Sequence, residues 1–221
     1  MPGYVSLWVF GIAFGLIEAA VVVYLREIVG PLKTELFSVF PIGTLLEHWV
    51  FSVERYREAA TLALMLAPAI LYSNLLFERV LAYVIVFGLW DLAYYSFLYI
   101  ILGWPASLLT YDVLFLLPTL WVAPVICPLL VSLSLAVFGS TYLWLARRRR
   151  PRYPKPTQWI AMGAGGVLVV AAFMANADYY LAGGMPPRFA WMPFSIGYGL
   201  AALGAGYFLL RYARQPKTRY T

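Results

Sequence analysis

The stretch Val80–Leu102, VLAYVIVFGLWDLAYYSFLYIIL, contains one charged residue, Asp91, near its middle. At about 1.5 Å per residue, a helix of this length crosses the hydrocarbon core of a bilayer, which is about 30 Å thick. An ionised side chain at that depth costs roughly 2.5–3.5 kcal/mol on insertion scales. The stretch therefore predicts a membrane-spanning helix whose carboxylate either pairs inside a helix bundle or belongs to a functional site.

A second stretch of the same kind, Val5–Leu25, carries Glu18. No Lys or Arg precedes it, and no cleavage site of small residues stands before Arg26, so we expect a retained span and not a signal peptide. Gly11 and Gly15 lie one turn apart on the helical face that leads to Glu18. This spacing predicts close packing against another helix.

The composition is that of an integral membrane protein. Hydrophobic residues make up 63% of the chain and charged residues 12%, whereas charged residues make up about 25% of a typical globular domain. The net charge of +6 lies mainly in 147–155 and in the tail after Arg211. Since both segments flank apolar stretches, we interpret the charge as a topology signal that attracts anionic membrane lipids, and we expect no nucleic-acid partner.

Six stretches are apolar enough to be spans, so the expected fold class is an all-α integral membrane protein, a six-transmembrane-helix bundle. The run 113–146 is too long for one straight helix and contains Pro118, Pro124 and Pro128, which interrupt helical hydrogen bonding. We therefore interpret Tyr111–Leu117 as an interfacial or re-entrant segment before a kinked fourth helix. The six predicted spans are Val5–Leu25, Ala59–Phe77, Val80–Leu102, about Trp121–Ala146, Trp159–Ala175 and Phe194–Leu210.

An outer amphipathic helix is expected before the second span. Thr44 and Glu47 have the spacing of a capping box, in which two side chains satisfy the free backbone donors of a helix start. Trp49, Val53 and Tyr56 then recur at helical spacing. We predict a helix at the outer surface that continues into the second span.

The distribution of Lys and Arg orients the predicted bundle. These residues total 11 on the side that carries both termini and 5 on the other side. The positive-inside rule therefore places both termini in the cytoplasm and the protein in the inner, cytoplasmic membrane of the cell.

We expect a single membrane domain in three parts. These are a four-span unit with the polar residues (1–146), a basic, Pro-rich cytoplasmic loop (147–158), and two Gly-rich spans with a basic tail (159–221). The last two spans contain no charged residue, so their role is expected to be mainly structural.

Polar residues collect in the first four predicted spans. The first and third spans run in the same direction, which places Glu18 and Asp91 between mid-depth and the outer half of the membrane. Two arginines, two more carboxylates and two tyrosines are expected near Asp91 or near the outer interface. The candidate binding residues are Glu18, Asp91, Arg57, Arg26, Glu58, Tyr94, Tyr95 and Asp112.

Two interpretations of this set remain open. In the structural one, Glu18 pairs with Arg57 or Arg26, Asp91 accepts hydrogen bonds from phenolic hydroxyls, and the network sets the order of the helices. In the functional one, the same groups line a hydrated, outward-facing pocket. Glu18 or Asp91 then accepts protons, and Arg57 holds an anionic group of the substrate.

The chain lacks the residues that several kinds of catalytic, metal or cofactor site require. The one His, His48, excludes a haem with two axial imidazoles within this chain, and no HExxH, Walker A or GxSxG motif is present. One cysteine, Cys127, provides neither a disulfide nor a thiolate cluster. Ser132 and Ser134 have no His near them in the sequence and are expected to bond to backbone carbonyls of their own helix. We therefore expect no metal and no cofactor, and we favour a non-enzymatic role.

Several segments are distinctive as strings. They are WDLAYY at 90–95 and GWPASLLTYD at 103–112, together with Glu18, YLR at 24–26 and REAATL at 57–62. In these segments the chain resembles an uncharacterised group of small bacterial polytopic membrane proteins, over roughly residues 10–135. The resemblance implies no activity, but it implies that the four spans with the polar residues form the unit of interest.

The expected function is the binding or transport of a small solute or ion through the outward-facing polar pocket. One alternative is a non-catalytic subunit or assembly factor of a larger membrane complex, with a membrane-protein partner or a homo-oligomeric state. The other is a lipid-modifying membrane enzyme with Asp112 or Glu58 as acid or base, for which no nucleophile–base pair is recognisable.

Overall fold

The computed structural model describes residues 2–28, 49–182 and 189–215. Among these, five helical stretches are long and apolar enough to cross a membrane: Gly3–Glu27, Leu76–Leu102, Ile126–Ala146, Pro156–Leu181 and Trp191–Ala213. The chain is therefore a mostly helical, multi-pass membrane protein, as predicted. In chain order the elements are α1 (Pro2–Ile28), α2 (Trp49–Leu64), α3 (Leu66–Tyr72), α4 (Leu76–Leu102), β1 (Tyr111–Phe115), β2 (Trp121–Pro124), α5 (Ile126–Ala146), α6 (Pro156–Met174), α7 (Ala177–Leu181) and α8 (Trp191–Ala213).

Helices α1 and α4 pack side by side and run in the same direction. A Cβ atom added to Gly11 would lie 2.8 Å from the Cβ of Leu89, and one added to Gly15 would lie 2.6 Å from the Cβ of Ala93. Later residues of α1 thus face later residues of α4. The contacts confirm the close packing predicted from the two glycines, because any larger side chain would force the backbones apart.

The chain between these parallel helices returns through α2 and α3. Gly3, at the start of α1, lies next to the ring of Tyr72 at the end of α3, with 3.8 Å from its ideal Cβ position to Cδ2. The predicted second span, Ala59–Phe77, is not one helix. Pro68 explains the break, since its ring excludes the carbonyl of the residue four positions earlier, Leu64, where α2 ends.

The predicted amphipathic helix is described only in part. Its capping box, Thr44 and Glu47, lies outside the described residues. Trp49, Val53 and Tyr56 belong to α2 and are exposed, as expected for an apolar face turned away from the bundle. Neither α2 nor α3 is among the five helices that meet the length and composition of a span.

The segment before α5 is a β-hairpin, and its extent corrects the predicted start of the fourth helix. Strands β1 and β2 pair antiparallel, with Tyr111 opposite Pro124, so Tyr111–Leu117 is mainly strand within a mostly helical fold. The fourth long helix begins at Ile126 and not at about Trp121. Pro124 ends the strand, where no backbone donor is required, and Pro128 lies in the first turn of α5, where proline is tolerated.

The hairpin lies between the helices at one end of the bundle. The ring of Phe115 stacks on Phe87, with 6.5 Å between centroids, and lies 6.4 Å from Trp90. Both partners belong to α4 and lie about three turns or more before its last residue, so the hairpin inserts between the helices. On its other face, the hairpin packs through Leu116 and Leu120 against a cluster that includes Tyr180. We call this end of the bundle the hairpin end.

Helices α6 and α8 form a second tightly packed pair. A Cβ atom on Gly165 would lie 2.5 Å from the carbonyl oxygen of Gly197, and the reciprocal distance is 2.7 Å. The pair adjoins α5 through α8, where the ring of Phe208 stacks on Tyr142 at 5.9 Å. It therefore stands beside the α1–α4–α5 group and leaves a space between α4 and α6.

Candidate functional site

A cavity of about 620 Å³ occupies this space. Ligand pockets commonly measure about 300–1,000 Å³. Its wall is formed by side chains of α1, α2, α4, α5, α6, α8 and the hairpin. The half toward the hairpin end is polar, and the rest is lined by apolar and small residues.

Seven of the eight predicted binding residues meet at the polar half. The exception is Arg26, which does not line the cavity; its guanidinium lies over the ring of Trp104, 4.2 Å from the centroid. The structure adds Glu54, which sequence analysis did not single out. The acidic and basic residues on the wall are Glu18, Glu54, Arg57, Glu58, Asp91 and Asp112.

Arg57 joins α2 to α1 through two carboxylates. It donates from Nη1 and Nη2 to the two oxygens of Glu18, both at 2.5 Å. It also donates from Nε to Glu54 at 2.8 Å and from Nη2 to the other oxygen of Glu54. A fifth bond runs from Nη1 to the hydroxyl of Thr61 at 3.3 Å.

These bonds use all five N–H donors of the guanidinium group. Of the two partners that the structural interpretation allowed for Glu18, the structure shows Arg57 and not Arg26. The functional interpretation of Arg57 is not supported, because the arginine has no donor left for an anionic substrate group.

Asp91 has a different environment. The hydroxyl of Ser132 on α5 donates to its Oδ2 at 2.8 Å, whereas we expected phenolic hydroxyls for Asp91 and a backbone carbonyl for Ser132. Among the described residues, no Lys or Arg forms an ion pair with Asp91. A half-buried carboxylate at bilayer depth thus faces the cavity without a cation.

Asp112 lies on β1 next to the helices. It is 3% exposed and accepts a hydrogen bond from the hydroxyl of Tyr95 at 2.9 Å. Burial raises the pKa of this carboxyl to about 6, although the positive charge of Arg26 and the bonds from Tyr95 and the Val113 backbone oppose the shift. Asp112 can therefore change its protonation state close to neutral pH.

Glu58 connects α2 to the hairpin. Its two oxygens lie 2.9 Å and 3.1 Å from the backbone nitrogen of Leu116, which donates to them just after β1. The carboxylate satisfies a buried backbone donor that the hairpin turn would otherwise leave free. Glu58 thus positions the hairpin over the polar half of the cavity.

Aromatic rings form a continuous wall around Asp91. Trp90 stacks on Tyr94 with 6.5 Å between centroids, and Tyr94 meets Tyr95 edge-on at 4.8 Å. Beyond Trp90, the wall continues through Phe115 to Trp121, whose rings are 5.4 Å apart. The buried indole nitrogen of Trp121 has no acceptor in hydrogen-bonding geometry among the described residues, whereas the side chain of Trp90 interacts with the Glu18 carboxylate.

The apolar half of the cavity opens sideways. Val80 on α4 is 43% exposed, and Gly163 and Gly166 on α6 are exposed and have no atom within 4 Å of an added Cβ. All three line the cavity together with Ala202 on α8. Gly163, Gly166 and Ala202 lie near the middle of their helices, whereas Val80 lies in the second turn of α4. The opening therefore faces the hydrocarbon of the bilayer.

The participation of α6 and α8 was missed, because we judged their role from the absence of charge. Ser134 on α5 bonds to the hydroxyl of Tyr198 on α8 at 2.8 Å, where we expected a backbone carbonyl as its partner. No sequence signal distinguishes such a serine or tyrosine from any other.

Among the described residues, no group of three or more His, Cys, Asp or Glu is placed to hold a metal ion. No protein-family model, curated protein or solved structure matches the chain.

Proposed function

We propose that this protein binds a small solute in the cavity and transports it across the membrane. The observation that carries the proposal is Asp91, which lies on the cavity wall with a serine hydroxyl and no cation as its partner. A purely structural carboxylate at this depth is expected to be neutralised by a basic side chain, as Glu18 is by Arg57. A carboxylate that faces an open cavity is suited to bind a ligand or a proton.

The proposed membrane topology has six crossings. The parallel arrangement of α1 and α4 requires the chain to return between them, and α2 with α3 then forms a broken second crossing. The excess of Lys and Arg on the side of the termini places both in the cytoplasm. The hairpin end then faces outward, and the hairpin serves as the re-entrant element.

In this topology the hairpin separates the polar half of the cavity from the outside. The bond of Glu58 to Leu116 holds it closed, and Asp112 on β1 adds a carboxyl that titrates near neutral pH. Access from the outside then requires the hairpin or α2 to move. The side opening toward the bilayer provides a second route.

Native mass spectrometry of gently extracted protein tests the proposal. We expect a small molecule bound in a fixed ratio to the wild-type chain and lost from the Asp91→Asn variant. Asp178→Asn is the matched control, because this aspartate is exposed and lies outside the cavity wall. An Asp91→Asn protein that keeps the ligand, or that no longer reaches the membrane in folded form, would count against the proposal.

One observation favours a second candidate, a non-catalytic subunit of a larger complex. Gly199 and Gly206 on α8 have no atom within 4 Å of an added Cβ, so another helix can approach this face closely. The same mass spectra distinguish the two candidates. A partner protein in a fixed ratio, with no small molecule bound, supports the subunit.

A further inference from the structure

The charges on the cavity wall determine which ligands it tolerates. Five carboxylates line it, from Glu18, Glu54, Glu58, Asp91 and Asp112, against the single guanidinium of Arg57. Every donor of that guanidinium is already bonded to side chains of the protein. An anionic group entering the cavity would meet like charges and, among the described residues of the wall, no cation with a free donor, whereas a cationic group can pair with Asp91.

The aromatic wall described above also favours a cation. The rings of Trp90, Tyr94 and Tyr95 are joined in one chain of contacts beside Asp91. Aromatic faces attract organic cations through the negative potential of the ring, and Trp is the most effective. The unbonded indole donor of Trp121 can in addition donate to an oxygen atom of the ligand.

The remaining space requires an apolar ligand body. Away from the carboxylates the wall consists of aliphatic, aromatic and small residues, among them Val84, Met162 and Val170. A bare inorganic cation would leave most of the 620 Å³ to be filled by water against these apolar surfaces. An organic body fills the same space and buries its own apolar surface there.

The side opening is consistent with such a ligand. Gly163, Gly166 and Ala202 border the cavity at mid-helix positions, where the surroundings of the protein are lipid tails. A molecule that dissolves in the bilayer can enter there without crossing the hairpin.

On the basis of the proposed transport function, we infer that the substrates are lipophilic organic cations, each with a positively charged centre on an apolar body. These substrates enter the cavity from the bilayer, between α4 and α6. The charged centre lies between Asp91 and the aromatic wall. The apolar body occupies the half of the cavity lined by α6 and α8.

The test compares two probes of nearly the same size and shape but of opposite charge, tetraphenylphosphonium and tetraphenylborate. Binding is measured by equilibrium dialysis on the full chain in lipid nanodiscs, and empty nanodiscs correct for partition into lipid. We expect saturable binding of the phosphonium only, weakened at least about tenfold by Asp91→Asn, as for the loss of one favourable charge contact.

A second variant separates binding from folding. Gly166→Leu places a side chain in open space at the edge of the cavity, so the fold is retained while the entrance is narrowed. Gly199→Leu is the matched control, because it also points into open space but is not on the cavity wall. We expect the phosphonium affinity to fall in the first variant and to be unchanged in the second.

The outcomes distinguish this inference from the proposed function. Saturable, Asp91-dependent binding of the borate, or an anionic or neutral molecule found bound in native mass spectra, overturns the cation class but leaves transport in place. Phosphonium binding of equal affinity in the wild type, Asp91→Asn, Gly166→Leu and Gly199→Leu overturns the proposed location of the ligand in the cavity. If neither probe binds saturably and no small molecule is retained, both the inference and the transport function are wrong.

Discussion

Replacement of Gly15 by alanine tests the packing that positions the site. A Cβ atom here would lie 2.5 Å from the carbonyl oxygen of Trp90, whereas ordinary contacts begin at 3.4 Å, so α1 must move away by about 0.9 Å. The obstructing atom belongs to the backbone of α4 and has no rotamer into which it can turn. Glu18 lies one turn further along α1, and its bonds to Arg57 move with it.

We expect Gly15→Ala to lower the free energy of unfolding by about 1–3 kcal/mol, the usual cost of overpacking an interior. For chains of 150–250 residues, each kcal/mol corresponds to roughly 2–4 °C in melting temperature, so the expected fall is about 2–12 °C. Thermal unfolding in detergent, followed by tryptophan fluorescence, measures it.

The control is Gly163→Ala, the same chemical change on another long helix. Its added Cβ has no atom within 4 Å, so the melting temperature is expected to stay unchanged or to rise slightly, as alanine is the better helix former. A Gly15→Ala protein that melts no lower than Gly163→Ala would show that α1 and α4 are not packed as described.

Two further predictions concern the hairpin. Glu58→Ala leaves the Leu116 N–H without its acceptor, so thermal unfolding is expected to show a free energy of unfolding lower by about 1–3 kcal/mol. Glu58→Gln keeps an acceptor and most of the stability. Equal losses in the two variants would contradict the role of this bond. Burial raises the pKa of Asp112 to about 6, so its stabilising contribution is complete below the ordinary value of 3.8 and is lost as the pH rises through about 6. Between about pH 4 and pH 7, the free energy of unfolding of the wild type should therefore fall by on the order of 3 kcal/mol relative to that of Asp112→Asn. A difference between the two proteins that stays constant over this range would refute the raised pKa of Asp112.

The sequence predicted what depends on length, composition and local spacing. Apolar length alone is enough to find α1, α4, α5, α6 and α8. The close packing of α1 against another helix was predictable, because small residues one turn apart allow two backbones to approach, but the spacing did not identify α4 as the partner. The pairing of Glu18 with Arg57 was one of two alternatives, and only three-dimensional placement selects between them.

The hairpin was not predictable by the same reasoning. A strand packed between helices is apolar on both faces, so the alternation that identifies a half-exposed strand is absent from 111–124. Ser132 beside Asp91 depends on how α5 is rotated about its axis, which no single-sequence pattern records. The break between α2 and α3 did have a signal, since Pro68 lies inside the predicted span Ala59–Phe77, and it was overlooked.

The two attachments of α2 have a consequence for how the protein moves. Arg57 and Glu58 are consecutive, and consecutive side chains of a helix point about 100° apart, so one reaches Glu18 on α1 and the other Leu116 beside the hairpin. A rotation or tilt of α2 as a rigid rod disturbs both bonds together. Breaking one attachment makes the other easier to break, and the free energies of the two are coupled. Movement of α2 away from this side of the bundle is therefore cooperative, because release at one of the two residues favours release at the other.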